Sequence, residues 1–426
     1  MNGRQAVEYI HSFYGMGKKA GLENGFALME LLGNPHKRLK CIHVAGTNGK
    51  GSICAYIERV LRAQGYKTGL YTSPYLQRYN ERIRVDGMPI DDDDLAVAVS
   101  KVKAAVDILH ERDIRPTEFE VGTAAAFLWF QMAGVDYAII EVGLGGRLDP
   151  TNIITPLVSV IGNIGIDHEK ILGDTVEQIA AEKAGIIKPG VPVVMYPQGE
   201  SVRKVVEEVA RRNSSPFIYV EKDKIENVDV DLRGASFGYA GFDIRINIPG
   251  KHQVLNGATA LRALLALREL EIDGAEMGDE SVVEGFKKAF WPGRLEWMSE
   301  NIIIDGAHNP QGAKALADYV KDFLPGKKIA LIFGVQQQKP YEGIAEELAR
   351  VADFVLAVEP DSHKALPAQE LADLMQEKGV DSRRCDDLAQ ALDYARVFAG
   401  DEGYIIIAGS LYLAGEARTL LGTCCG

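Results

Sequence analysis

Residues 41–52, "CIHVAGTNGKGS", constrain the fold more than any other stretch of the chain. An apolar run passes directly into a glycine-rich turn, and a helical pattern opens at Ser52 and runs to about Gln64. A strand that ends in glycines and feeds a helix can hold oxygen anions, because the first helical N–H groups lack intrahelical acceptors and converge. The spelling departs from the Walker A pattern, which needs Gly, four residues, then Gly-Lys-Ser/Thr. Here Gly46 stands three residues before Gly49, Lys50 is followed by Gly51, and the hydroxyl arrives at Ser52. Two readings stay open on these residues. In one, Lys50 reaches the outer phosphates of a nucleotide and Ser52 ligates Mg2+. In the other, the glycines serve the geometry of a strand–turn–helix junction and nothing more.

The same strand–helix alternation recurs along the chain. Apolar runs at 41–45, 69–72, 137–142, 158–162 and 191–195 predict strands, and a helix is expected over 123–132. The runs are continuously apolar rather than alternating, which fits parallel strands covered on both faces and so an α/β fold. Between residues 217 and 249 the texture changes, and "FIYV", "ASFGY" and "FDIRINIP" read as a small antiparallel patch. Helical periodicity returns over 253–271. Pro292-Gly293 then breaks the chain, and further strands are expected from Asn301 and at 328–333, 353–358 and 404–408. Two domains follow, 1–293 and 300–426. "DDDD" at 91–94 is the acidic start of a helix ending near His110, where the helix dipole favours negative charge.

Composition narrows the function class. With 46% hydrophobic and 25% charged residues the chain is of ordinary globular type, and no apolar run approaches the roughly 18–20 residues of a membrane span. The first residues, "MNGRQAVEYIHSFYG", lack the charged-then-apolar plan of a signal peptide. Cys41, Cys54, Cys385, Cys424 and Cys425 show neither a CxxC pair nor zinc spacing, so free thiols in a reducing cytoplasm are expected. A net charge of −13 disfavours non-specific binding to nucleic acid or anionic membrane. An anionic substrate then needs a local cationic patch.

Several residues at strand ends can carry chemistry. Glu141 sits near the end of the apolar run "YAIIE", where a carboxylate is costly unless it pairs with a neighbour such as Arg147 or binds a cation. Ser73 in "TSPYL" and Asp167-His168 in "GIDHEK" also follow strands. Carboxyl ends of parallel strands converge on one crevice, so Ser73, Glu141 and His168 can meet there as ligands of a hard cation. Lys183 in "IAAEKAGIIKPG" reads by itself as an ordinary helix lysine. Arg294 in "WPGRLE", with Asp305, His308 and Asn309 in "IIIDGAHNP", is a candidate second half of a site.

Taken in order, "IHVAGTNGKGS", "YTSPYLQRYNERIRV", "TEFEVGTAAAF", "EVGLGGRLDPTN", "DHEKILGDTVEQIAAEKAGIIKPG", "PGRLE", "DGAHNP" and "AGSLYLAGE" resemble the folylpolyglutamate synthase/dihydrofolate synthase family of the Mur ligase superfamily. That superfamily spells its phosphate loop GTNGK, which resolves the departure from Walker A. The resemblance implies an N-terminal P-loop ATPase-like domain and a C-terminal Rossmann-like α/β domain. It implies an ATP-dependent ligase that adds L-glutamate to the carboxylate of a folate, or to dihydropteroate, through an acyl phosphate. Thr47, Asn48, Gly49, Lys50 and Gly51 would then hold ATP phosphates, and Ser52 the nucleotide-side Mg2+. Ser73, Glu141 and His168 would hold metal, with two Mg2+ ions expected in all. Lys183 matches the family lysine that is carbamylated. Asn256, Arg294 and Asp305 match positions contacting ATP, and His308 approaches the reacting phosphate. Thr117, Glu118, Phe119 and Glu120, with Leu148, Asp149 and Pro150, would contact the pterin side. The implied partners are small molecules; the charge predicts no nucleic acid or membrane partner, the cysteines a cytoplasmic setting, and a monomer is the default expectation.

The chain departs from the family pattern at three places. Tyr75 stands where the family has His, Pro150 where it has Ala, and Lys18-Lys19 where bifunctional members carry Ile-Asp. The last two fall on the expected dihydropteroate side. Lys18, Lys19, Arg78, Arg82 and Arg84 are either a cationic patch for a polyglutamate tail or scattered solvated charges. Two other functions compete: a Mur-type ligase acting on a different carboxylate, and a nucleotide-binding regulatory homologue without ligase activity.

Overall fold

The apolar runs fold as strands, and their pairing puts the chemistry-bearing loops on one edge. The structure, a computed structural model, describes residues 1–15, 21–272 and 276–422. Eight strands form the first sheet: β1 (Cys41–Ala45), β2 (Thr68–Tyr71), β3 (Ile83–Val85), β4 (Met88–Pro89), β5 (Tyr137–Glu141), β6 (Val158–Ile161), β7 (Val193–Met195) and β8 (Phe217–Tyr219). Their spatial order is β4-β3-β2-β5-β1-β6-β7-β8. β1 pairs in parallel with β5 on one side and β6 on the other, with Val44 opposite Glu141 and Ala45 opposite Ile161. β2 pairs in parallel with β5, Tyr71 opposite Ile140. The glycine-rich turn, Ser73, Glu141 and residues 163–168 therefore all emerge at the carboxyl edge, as the crevice argument requires.

Every residue of β1, β5 and β6 is buried, because helices cover both faces of the sheet. One face packs Val99, Phe127 and Ile140 from helices Asp92–Glu111 and Glu118–Ala133 and from β5. The other packs Ile161, Ile179 and Val206 from β6 and helices Val176–Ala184 and Glu200–Arg212. Full burial of each such side chain contributes roughly 1.5–3 kcal/mol.

Sequence expectations and structure differ in informative places. The helix expected over 123–132 begins at Glu118, since Thr117 and Glu120 close a capping box. "FIYV" is not antiparallel: β8 pairs in parallel with β7, reached through the crossover helix Glu200–Arg212. β3 and β4 form an antiparallel edge on a largely parallel sheet, and no expectation covered them. The acidic run behaves as expected, with Asp91 capping Asp92–Glu111 through the Asp94 N–H. The small antiparallel sheet comprises Phe242–Ile246, Gly234–Tyr239 and Glu226–Asp231 in spatial order.

The chain divides into two compact units. The first holds Met1–Asn227, Phe237–Arg245 and Leu255–Ala289, and the second holds Val228–Ser236, Ile246–Val254 and Phe290–Gly426. The second unit has a six-stranded sheet in the order Glu296–Trp297, Ile302–Ile304, Tyr404–Ala408, Ile329–Phe333, Phe354–Ala357, Ser382–Arg384. All its neighbours pair in parallel except the Glu296–Trp297 edge. Among the described residues no helix is long and apolar enough to cross a membrane.

Candidate active site

The turn after β1 is held open by its neighbours. Thr47 N–H donates to Asn163 O at 2.6 Å, and Asn48 forms an isolated bridge with Asn163. Thr47 Oγ1 donates to Gly165 O at 3.0 Å and accepts from Gly165 N–H at 3.1 Å. Gly49 has φ +81° and a Cβ there would stand 2.4 Å from Asn256 Oδ1, so glycine is required both by conformation and by the close approach of Asn256. Lys50 opens helix Lys50–Ala63, Gly51 lies in its first turn, and Ser52 is buried there. The N–H groups at this helix start face the crevice edge and suit oxygen anions.

Two lysines converge behind the turn. Lys50 Nζ donates to Gly46 O at 3.1 Å and to Thr47 O at 3.3 Å. Lys183 Nζ, from the last turn of Val176–Ala184, donates to the same Gly46 O at 2.9 Å. Lys183 is therefore no surface helix lysine: it is 4% exposed. Burial, reinforced by the Lys50 charge, pushes its ammonium down to about 7, while Asp167 and Asp149 pull weakly the other way. Glu141 Oε2 accepts the Ser73 N–H at 3.0 Å, so the carboxylate lies against the Ser73 backbone. Arg147 binds Glu182 at 2.8 Å instead, which removes the expected Arg147–Glu141 pairing. His168 adopts a left-handed conformation, φ +54°, and its Nε2 lies 3.8 Å from Asp167 Oδ1.

All seven residues expected on the pterin side line one cavity of about 760 Å3, together with Ser73. That size suits a drug-sized or cofactor-sized molecule. Phe119 stacks on Tyr71 with 5.9 Å between centroids, and its ring occupies the space a side chain at Gly143 would need. Glu118 is bound to His11 Nδ1 at 2.8 Å. Glu120 is engaged by the Thr117 N–H and hydroxyl, so its carboxylate caps a helix. Leu148 is exposed at the rim, and Pro150 opens the short helix Pro150–Ile153, a position that favours proline.

Asp149 is fixed by a chain that sequence reasoning missed. Its Oδ2 accepts the Leu144 N–H at 2.8 Å, and its Oδ1 accepts the Thr151 N–H and hydroxyl. Because the Thr151 hydroxyl proton goes to Asp149, the contact from His43 Nε2 at 2.9 Å must be a donation from the ring. Burial pushes His43 down to about 3, so it is a neutral donor. The only sequence signal was a histidine inside an apolar strand.

The suspected cationic patch resolves into separate roles. Arg78 binds Asp92 at 2.8 Å, and Arg84 Nε donates to Glu81 O. Arg82 lines the cavity, and its guanidinium lies 5.3 Å from the ring centres of both Tyr75 and Tyr79. Lys18 and Lys19 lie outside the described residues, as do Cys424 and Cys425.

In the second unit, Asp305 is buried and both carboxylate oxygens accept backbone N–H groups, from Leu295 and Ala307, each at 2.8 Å. Leu295 carries φ +44°, so Asp305 pins a left-handed turn directly after Arg294. Burial raises the Asp305 carboxyl, opposed mainly by the Arg294 charge. His308 Nδ1 donates to Gly306 O at 2.8 Å, and Asn309 caps helix Pro310–Phe323.

Residues 44–264 match the Mur ligase middle domain, and residues 293–411 match the Mur ligase glutamate ligase domain. The dihydrofolate synthase/folylpolyglutamate synthase of Bacillus subtilis is 37% identical over 98% of this chain and 99% of its own length. The chain belongs to the folylpolyglutamate synthase/dihydrofolate synthase family of Mur ligases. A second relative in this family, the folylpolyglutamate synthase of Lacticaseibacillus casei, is 37% identical over 99% of each chain. The Mycobacterium tuberculosis folylpolyglutamate synthase, solved with ADP and AMPPCP, superposes with a TM-score of 0.90 at 32% identity over 99% of both chains. An Escherichia coli family member, solved with DHPP and ADP, gives 0.87 at 29% identity, covering 99% of this chain and 98% of its own.

Proposed function

We propose that this chain is an ATP-dependent ligase that joins L-glutamate to the glutamate carboxylate of a tetrahydrofolate. One observation carries the reading: the phosphate-type turn, the Glu141–Ser73 pair and the folate-sized cavity lie at one sheet edge, and Ser73 both binds Glu141 and lines the cavity.

The chemistry needs an activated carboxylate, because a free carboxylate does not form an amide at neutral pH. A carboxylate oxygen of the folate attacks the γ-phosphorus of ATP, and ADP leaves. The amine of L-glutamate then attacks the acyl phosphate carbonyl, and phosphate leaves with the oxygen the carboxylate supplied. Little of this requires covalent participation by the protein; positioning and charge stabilisation carry it. Thr47, Asn48, Gly49, Lys50 and Gly51 are assigned to the phosphates. Asn256, resting on Gly49, is assigned to the nucleotide, with Arg294 and Asp305 of the second unit. His308 is assigned to the reacting phosphate.

The residues present fit Mg2+. Ser52, Ser73 and Glu141 offer hydroxyl and carboxylate oxygens, the hard donors Mg2+ prefers, and His168 adds a ring nitrogen. Among the described residues no three His, Cys, Asp or Glu side chains cluster as a metal cage. Bound there, Mg2+ would screen the repulsion between carboxylate and triphosphate. Lys183 fits carbamylation, since burial favours the neutral amine that CO2 requires and a carbamate would supply another anionic oxygen. The buried free thiols Cys41, Cys54 and Cys385 support a reducing, cytoplasmic setting.

Phosphate release tests the reading. It should require ATP, tetrahydrofolate and L-glutamate together, and release that ignores either acceptor would sink it. Dihydropteroate in place of tetrahydrofolate decides whether the chain is also a dihydrofolate synthase.

A further inference from the structure

Arg82 is the one side chain of permanent positive charge among the described residues that line the cavity. Its Nε is shut off from solvent and has no hydrogen-bond partner. A buried donor left in that state costs roughly 1–3 kcal/mol unless a ligand satisfies it. The guanidinium is held in place, because the Tyr75 and Tyr79 rings each lie 5.3 Å from it. Its main-chain carbonyl accepts the Thr72 N–H at 3.0 Å, which fixes the residue at the carboxyl edge beside β2. The acids of the cavity are already engaged: Glu118 by His11, Glu120 by Thr117, and Asp149 by Leu144 and Thr151. Arg82 is thus a fixed cation in a folate-sized cavity, with donor capacity its protein neighbours leave unused.

We propose that Arg82 binds the α-carboxylate of the folate's terminal glutamate and so selects glutamyl-bearing acceptors. The proposal rests on the folate-ligase reading. A folate tail presents two carboxylates, the γ-carboxylate that reacts and the α-carboxylate that does not. The reacting one must reach the phosphate-binding turn after β1. Arg82 immediately precedes β3, which β2 and β5 separate from β1. Three strand spacings put the two backbones roughly 14 Å apart along the sheet edge, a gap shared between the reach of the arginine side chain, the bound phosphates and the short span between the two carboxylates of one glutamate. The reacting carboxylate belongs at the phosphates, which leaves the α-carboxylate for the arginine. A guanidinium presents two parallel N–H groups to a carboxylate, so the contact is directional as well as charged. Dihydropteroate has no α-carboxylate and gains nothing from Arg82.

The test pairs a ligand change with a side-chain change. Binding to the intact protein is measured calorimetrically for tetrahydrofolate and for its tetrahydropteroyl-γ-aminobutyrate analogue, which keeps the reacting carboxylate and lacks the other. The wild-type protein should bind tetrahydrofolate roughly ten- to a hundredfold more tightly. Arg82→Gln should bind both at the weaker level, so that the discrimination collapses. Arg82→Lys, which keeps the charge and loses the fork, should retain part of it and guards against a misfolded Gln variant. Discrimination unchanged in either variant, or absent from the wild type, overturns the assignment. A wild-type protein that binds neither compound overturns the folate reading itself.

Discussion

Lys50 and Lys183 donate to one carbonyl oxygen, that of Gly46, at 3.1 and 2.9 Å. Two lysine amines thus meet on a single acceptor in a phosphate-type turn. Lys183 is the buried member, with its ammonium pushed from the ordinary 10.5 down to about 7. The unfolded chain therefore keeps a proton that the folded chain has lost between about pH 7 and 10.5, so this contribution makes stability rise with pH across that window. In bicarbonate-free buffer, Lys183→Met should unfold at a higher temperature than wild type at pH 7, by at most on the order of 4–5 kcal/mol of stability. The advantage should fade as pH approaches 10. A variant less stable at pH 7 contradicts the burial argument. Carbon-13 NMR in labelled bicarbonate should show a carbamate signal in the wild type that Lys183→Met lacks.

Lys50→Ala removes the amine bound to the Gly46 and Thr47 carbonyls of the turn. Turnover should fall by roughly a hundred- to a thousandfold, as when one preorganised charge-stabilising donor is lost. Steady-state phosphate release measures it. A rate within threefold of wild type would take Lys50 out of the phosphate site.

Glu120 lines the cavity, yet its carboxylate closes the capping box with Thr117. Glu120→Ala should cost about 1 kcal/mol of stability, read from denaturant unfolding, with little change in the KM for folate. A large KM change with unaltered stability would instead make Glu120 a substrate contact.

His43, Thr151 and Asp149 form one buried chain that ends at the cavity. Thr151→Val should lower kcat/KM for folate about tenfold, the loss of one charge-assisted hydrogen bond to Asp149, and His43→Leu should lower it by less, since the bond it removes is between neutral groups. His43→Gln, which keeps a donor, should recover most of it. Because folded His43 stays neutral to about pH 3, the unfolded chain takes up the extra proton below about pH 6.5, so stability falls with acid. His43→Gln should flatten that limb in acid-unfolding curves.

Elements fixed by local chemistry are legible in the sequence. The strands Cys41–Ala45 and Tyr404–Ala408 carry their limits in continuous apolar runs bounded by polar or glycine residues. The phosphate-type turn is legible because glycines between strand and helix have few other uses. Features made by distant segments are not. Lys183 looks like a surface lysine until its helix docks 137 residues away on Gly46. His43 and Thr151 meet across 108 residues. Arg82 stands in a run of cations whose roles only packing separates, Arg78 with Asp92, Arg84 with the main chain, Arg82 in the cavity. The start of Glu118–Ala133 was available locally, in the Thr117–Glu120 spacing.

The most direct measurement follows one oxygen. Tetrahydrofolate labelled with oxygen-18 in its γ-carboxylate is incubated with ATP, Mg2+ and L-glutamate, and product and phosphate are read by mass. The expected result is a folate one glutamyl residue longer, with one labelled oxygen in each phosphate released. Unlabelled phosphate beside a lengthened folate would contradict the acyl phosphate route, and no lengthened product would contradict the ligase itself.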